Sequence, residues 1–123
     1  MQMAKIRDLI GKTLVSVENQ GDEEIVFTAD DGKKWKLYHD QDCCESVRVE
    51  DVIGNLSDLV GSPVLMAEEV DNEDTPPVDP ADAEESYTWT FYKFATIKGY
   101  VTIRFYGTSN GYYSESVDFT ELT

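Results

Sequence analysis

Basic residues are scarce and unevenly spread: 10 Lys and Arg stand against 25 Asp and Glu, the formal net charge is −15, and no basic residue falls between Arg48 and Lys93. Nucleic acids and anionic membranes draw much of their attraction from Lys and Arg, so neither is an expected direct partner. Histidine occurs once, at His39, and cysteine twice, at the neighbouring positions Cys43 and Cys44. Neighbouring α-carbons lie about 3.8 Å apart, short of the roughly 4.4 to 6.8 Å usual for disulfides, so no internal bridge is expected. With no cysteine elsewhere there is also no secreted disulfide framework. No apolar run approaches the roughly 18 residues of a membrane span, and Met1-Gln2-Met3-Ala4-Lys5-Ile6-Arg7 lacks the apolar stretch of a signal peptide. A cytoplasmic location is expected. No repeat of about 20 to 50 residues is visible.

What the chain does hold fits one domain. At 123 residues it can bury roughly two-thirds of its unfolded surface, enough for a core without staples. Asp, Glu and three prolines crowd the stretch Glu68 to Glu85. Low apolar content, like charges and prolines without an N–H predict a long mobile acidic loop at 72–84.

Before that loop, a short helix or turn is expected at Ala4–Ile10, with strands near Lys12–Asn19, Glu24–Ala29 and Lys34–His39. Asp31-Gly32 reads as a two-residue hairpin turn, which would place Thr28 opposite Trp35 and Val26 opposite Leu37. A strand at Ser46–Val52, a short helix capped by Asn55 or Ser57 and ended by Gly61, and a strand at Pro63–Val70 follow. The last third is rich in aromatic and β-branched residues and reads as a three-stranded antiparallel meander: Tyr87–Ile97, Tyr100–Tyr106 and Tyr112–Phe119. The expected fold is mainly β (α+β), a curved antiparallel sheet, sandwich or open barrel with one or two short helices.

Centring the first of those turns on Lys98-Gly99 sets Lys93 opposite Arg104, Phe91 opposite Tyr106 and Phe94 opposite Ile103. A longer second loop sets Arg104 opposite Ser114 and Tyr106 opposite Tyr112. One face then carries Phe94, Val101, Ile103, Phe105, Tyr113, Glu115 and Val117. The other carries Trp89, Phe91, Lys93, Arg104, Tyr106, Tyr112 and Ser114, and is too aromatic for ordinary solvent-facing surface. That second set is the candidate ligand or partner surface, since two cations on an aromatic sheet suit an anionic or ring-bearing group. The competing reading has acidic neighbours neutralise the cations while the rings pack against another element or a second subunit.

Three phrases carry a resemblance: His39-Asp40-Gln41-Asp42-Cys43-Cys44-Glu45-Ser46-Val47, Thr90-Phe91-Tyr92-Lys93-Phe94-Ala95-Thr96-Ile97-Lys98-Gly99, and Tyr106-Gly107-Thr108-Ser109-Asn110-Gly111-Tyr112-Tyr113-Ser114-Glu115-Ser116-Val117. In these the chain resembles a family of small, functionally uncharacterised domains of phages and their bacterial hosts. The resemblance implies a phage or bacterial origin and transfers no catalytic residue.

His39, Cys43 and Cys44 could begin a zinc site, completed by Asp42 or Glu45, yet adjacent cysteines seldom aim both sulfurs at one ion. A thiolate nucleophile beside His39 is the related alternative, without an identifiable oxyanion hole or orienting group. Glu115, placed on the core face, needs a partner, and His39 is a candidate if the two halves meet. The leading expectation is a noncatalytic binding protein without a cofactor that meets a basic protein surface, for instance as an acidic inhibitor of a nucleic-acid-binding or defence protein. A binder of small anions through Lys93 and Arg104, and a zinc- or thiol-dependent enzyme, are the alternatives.

Overall fold

The computed structural model describes residues 2–71 and 75–122. Its strands are β1 (Gln2–Met3), β2 (Leu14–Gln20), β3 (Glu24–Ala29), β4 (Lys34–Tyr38), β5 (Ser46–Ile53), β6 (Met66–Asp71), β7 (Ser86–Thr96), β8 (Gly99–Ser109) and β9 (Asp118–Leu122). They form two antiparallel sheets, ordered β1-β9-β4-β3-β2 and β5-β8-β7-β6. The helical content among the described residues is three short 3-10 turns, at Ile6–Leu9, Leu56–Leu59 and Pro80–Glu84. Among the described residues no helix is long and apolar enough to cross a membrane. The mainly-β expectation holds as two open sheets packed face to face.

Alternation explains the packing. Ile25, Phe27, Trp35, Leu37 and Phe119 point inward from the first sheet, and Phe94, Val101, Ile103 and Phe105 from the second, into one shared core. Phe27 and Phe94 meet across the layers at 5.6 Å between ring centres. Leu9 and Leu59, each carried by a 3-10 turn, are fully buried in the same core. Asn55 caps the second turn by accepting a bond from the Ser57 amide at 3.0 Å.

Three registers differ from expectation. In the β3–β4 hairpin Phe27 faces Trp35 and Ile25 faces Leu37. The Asp31-Gly32 reading is off by one residue, because the loop spans Ala29 to Lys33 with the Ala29 amide bonded to the Lys33 carbonyl. A one-residue slip exchanges the faces, and burial selects the register that puts all four apolar side chains inside.

The β7–β8 hairpin is off by two. Its central residues are Ile97 and Lys98, so Phe91 faces Arg104, Lys93 faces Thr102, Trp89 faces Tyr106 and Phe94 faces Val101. A two-residue slip keeps every side chain on its face, so hydrophobic pattern alone does not distinguish the two registers.

The third correction removes the meander. Residues 112–117 form no strand, and the second neighbour of β8 is β5, with Arg48 opposite Tyr106 and Asp51 opposite Arg104. Phe119 instead enters the first sheet within β9, between β1 and β4.

Where β5 ends, Gly54 has φ +102, and a Cβ there would stand 2.7 Å from the Tyr100 carbonyl oxygen. Gly32, at φ +87, has open space around the same position. Gly54→Ala is therefore expected to cost about 1–3 kcal/mol or more, and measurably more than Gly32→Ala, in denaturant unfolding. Equal losses would remove the steric argument.

Candidate functional site

The two polar phrases meet in space. His39 follows β4, and its side chain is almost sealed from solvent beside that of Glu45. Its Nδ1 lies 2.6 Å from the carbonyl oxygen of Ser116, which can only accept, so Nδ1 carries a hydrogen. Its Nε2 lies 2.7 Å from Glu45 Oε2. An imidazolium donating from both nitrogens satisfies both contacts, with the carboxylate as counter-charge.

Glu45 is the hub of its loop. Besides His39 it accepts from the amides of Asp42 and Cys43, each at 2.9 Å, and Gln41 Nε2 donates to the Glu45 carbonyl at 2.7 Å. The His39 bond, aided by those amides, holds the Glu45 carboxyl down at about 2 despite the opposing effect of burial. The expected partnership of His39 with Glu115 is corrected here: the halves do meet, but through the Ser116 carbonyl.

Glu115 is buried and accepts from Thr88 Oγ1 at 2.7 Å and from Ser109 Oγ. Gly107 makes room for it, since a Cβ there would lie 3.0 Å from the Glu115 Cβ. A second correction concerns sulfur: Cys43 and Cys44 are joined to each other across a Cα–Cα distance of 3.7 Å. The ring closes through the single intervening peptide, a route that the distances of ordinary bridges do not cover.

Chemically, this cluster is a clamp. Both ring nitrogens of His39 are engaged, which leaves none to take a proton from a substrate or an activated hydroxyl. Ser114 and Ser116 bond to each other at 2.7 Å and line a hollow of about 340 Å³ together with His39, Asp40, Gln41 and Asp118. Among the described residues no three His, Cys, Asp or Glu side chains are grouped to hold a metal ion.

Of the expected contact surface, Trp89, Phe91, Lys93, Arg104 and Tyr106 do share the outer face of the second sheet. Tyr112 and Ser114 do not join them: Tyr112 lies 83% exposed on the 110–117 segment, packed edge-on against Tyr113. Lys93 is exposed opposite Glu68. Arg104 makes a two-pronged bond to Asp51, at 2.5 and 2.9 Å, and lies 4.8 Å from the Trp89 ring centre. No sequence signal picked out Asp51, because its proximity depends on a bulge in β5 between Val49 and Asp51.

Trp89 and Tyr106 are only 4% and 1% exposed, although they point away from the core. The covering element is the far part of the expected acidic loop. Residues 72–74 of that loop lie outside the described residues, whereas 75–84 cross the outer face. The Trp89 indole donates to the Pro76 carbonyl at 3.0 Å, the Val78 amide donates to the Tyr106 hydroxyl at 3.1 Å, and that hydroxyl donates to Asp82 at 2.5 Å. Burial and the Asp82 carboxylate push the Tyr106 phenol up to about 12.

A family model described as a domain of unknown function (DUF7448) matches residues 7–119. No match is found among curated proteins or among solved structures.

Proposed function

We propose, for a chain that belongs to this family of domains of unknown function, a noncatalytic interaction module of phage or bacterial origin that works in the bacterial cytoplasm. Its partner is a protein with a basic face, and its action is to occupy that face, as an inhibitor of a nucleic-acid-binding or defence protein would. The observation that carries this reading is β6. It is one of the two outermost strands of the second sheet among the described residues, and Glu68, Glu69, Val70 and Asp71 along it are all exposed.

An outermost strand has one unpaired row of main-chain donors and acceptors, and acidic side chains on it repel acidic chains while admitting a basic extended segment. The net charge of −15 adds long-range attraction for such a partner. The anion-binding alternative is weakened by the separation of Lys93 from Arg104 in register and by the engagement of Arg104 with Asp51.

The test uses immobilised chain and a bacterial lysate. Retained proteins are expected to be released between ~0.1 M and ~1 M salt, as the screening length falls from about 10 to 3 Å. Each, once purified, should bind the Glu68→Lys/Asp71→Lys variant roughly tenfold more weakly or worse. Retention indifferent to both salt and charge reversal would refute the acidic-edge reading.

A further inference from the structure

We propose that the outer face of the second sheet around Trp89 and Tyr106 is a groove for a proline-rich peptide of a partner protein, and that residues 75–84 occupy it as a built-in competitor. The groove is distinct from the acidic strand β6, so this goes beyond the function proposed above. Trp89, Phe91 and Tyr106 form an apolar cluster of their own, separate from the main core, with Tyr87 packed against it. Trp89 and Tyr106 approach to 4.7 Å between ring centres, and the guanidinium groups of Arg104 and Arg48 lie 4.8 and 5.6 Å from the Trp89 and Tyr106 rings respectively.

The way the strap is held defines the ligand. Of the three hydrogen bonds that join it to Trp89 and Tyr106 among the described residues, two use main-chain groups, the Pro76 carbonyl and the Val78 amide, and one uses the Asp82 side chain. Recognition through an indole N–H and a phenol is therefore largely indifferent to side-chain identity and follows the backbone path of the strap, irregular through Pro76–Val78 and a 3-10 turn over Pro80–Glu84. Proline enters that path at low entropic cost, because its fixed φ suits both an irregular segment and the opening of a helical turn, where Pro80 stands. Asp82 adds a preference for an acidic residue that reaches the Tyr106 hydroxyl.

The strap is also poorly anchored in its own right. Pro76, Val78, Asp79, Pro80 and Ala81 are exposed, Val78 to 47%, so little apolar burial holds the segment down. Segments with few buried apolar contacts open at lower free energy than core strands do. A peptide in trans that makes the same contacts competes with the strap, and its apparent affinity is reduced by the fraction of chains whose groove is closed.

The test follows the two indole N–H signals of the chain, those of Trp35 and Trp89, by nuclear magnetic resonance. The probe is a synthetic peptide with the sequence of residues 75–85. In the full-length variant Pro76→Gly/Pro77→Gly/Pro80→Gly/Asp82→Ala, the Trp89 signal is expected to shift saturably with peptide while the Trp35 signal stays in place. Half-saturation should come at a roughly tenfold lower concentration than in the unaltered chain. Adding Tyr106→Phe to the variant should weaken binding, as should replacing the prolines of the peptide by glycine. A folded variant whose Trp89 signal ignores the peptide overturns the proposal. If the variant does not fold, hydrogen exchange in the unaltered chain decides: the Trp89 indole should exchange faster than the core amides of β8, and equal rates overturn the proposal.

Discussion

Phe94→Ala is expected to lower the unfolding free energy by about 3–5 kcal/mol, the loss usual when a buried aromatic ring is emptied from a packed core. Phe94 is 1% exposed, faces Val101 and Ala67 on its two neighbouring strands, and meets Phe27 of the opposite sheet. The cavity would therefore open where the two layers join, and neither sheet could collapse into it without abandoning its own hydrogen bonds. Domains of this size have roughly 5–15 kcal/mol of stability in total, so the variant should lie close to unfolding at ambient temperature. Urea denaturation with an unchanged slope is the measurement. A loss below about 1 kcal/mol would mean that the two sheets do not share a core.

Glu45→Ala is expected to release the 39–46 loop from the 114–117 segment. The substitution leaves the His39 Nε2 and the amides of Asp42 and Cys43 without their acceptor, and unmade bonds at buried donors cost more than the bonds themselves contribute. Faster amide exchange at Asp42 and Cys43, with a lower melting temperature, is the expected result.

The same carboxylate predicts a pH window. Its folded value of about 2 lies below the ordinary 4.5, so between those values the unfolded chain binds a proton that the folded chain does not. Its stabilising contribution is complete above pH 4.5 and disappears as the pH falls to about 2. With 25 acidic residues in the chain, the informative quantity is the difference between the wild-type and Glu45→Gln melting curves. That difference should shrink toward zero across the window. A difference that stays constant from pH 5 to about 2 would show that Glu45 is not held as described.

Strand positions were largely legible in the sequence, β3 to the residue and most others to within three at each end, because alternation of apolar and polar side chains records burial directly. The two faces of the β7–β8 hairpin were legible for the same reason. What alternation cannot encode is an even-numbered slip or the identity of the next strand, so it fits Lys93 opposite Arg104 as well as opposite Thr102, and it fits a strand at 112–117 that the fold does not form. The aromatic excess of the outer face signalled that something covers it. The cover itself was not recognised, because a segment so acidic and proline-rich reads as a solvated loop; its attachment to Trp89 and Tyr106 runs mostly through backbone groups, which leave no mark in composition.

Likewise, His39 and Glu115 were legible as groups needing partners, whereas the choice of Glu45 depends on how the 39–45 loop turns back on itself. The expectation of a functionally uncharacterised domain family agrees with the family match over residues 7–119.

The insertion of β9 between β4 and β1 has a consequence for synthesis. A nascent chain leaves the ribosome in order, so β2, β3 and β4 can zip into hairpins early, while the outward edge of β4 stays open until residues 118–122 emerge. Throughout that interval Phe119 is missing from the core and β1 has no strand to join. Residues 118–122 thus complete a sheet whose other strands are made earlier, and a chain cut short before residue 118 would be a sticky fragment rather than a smaller version of the fold.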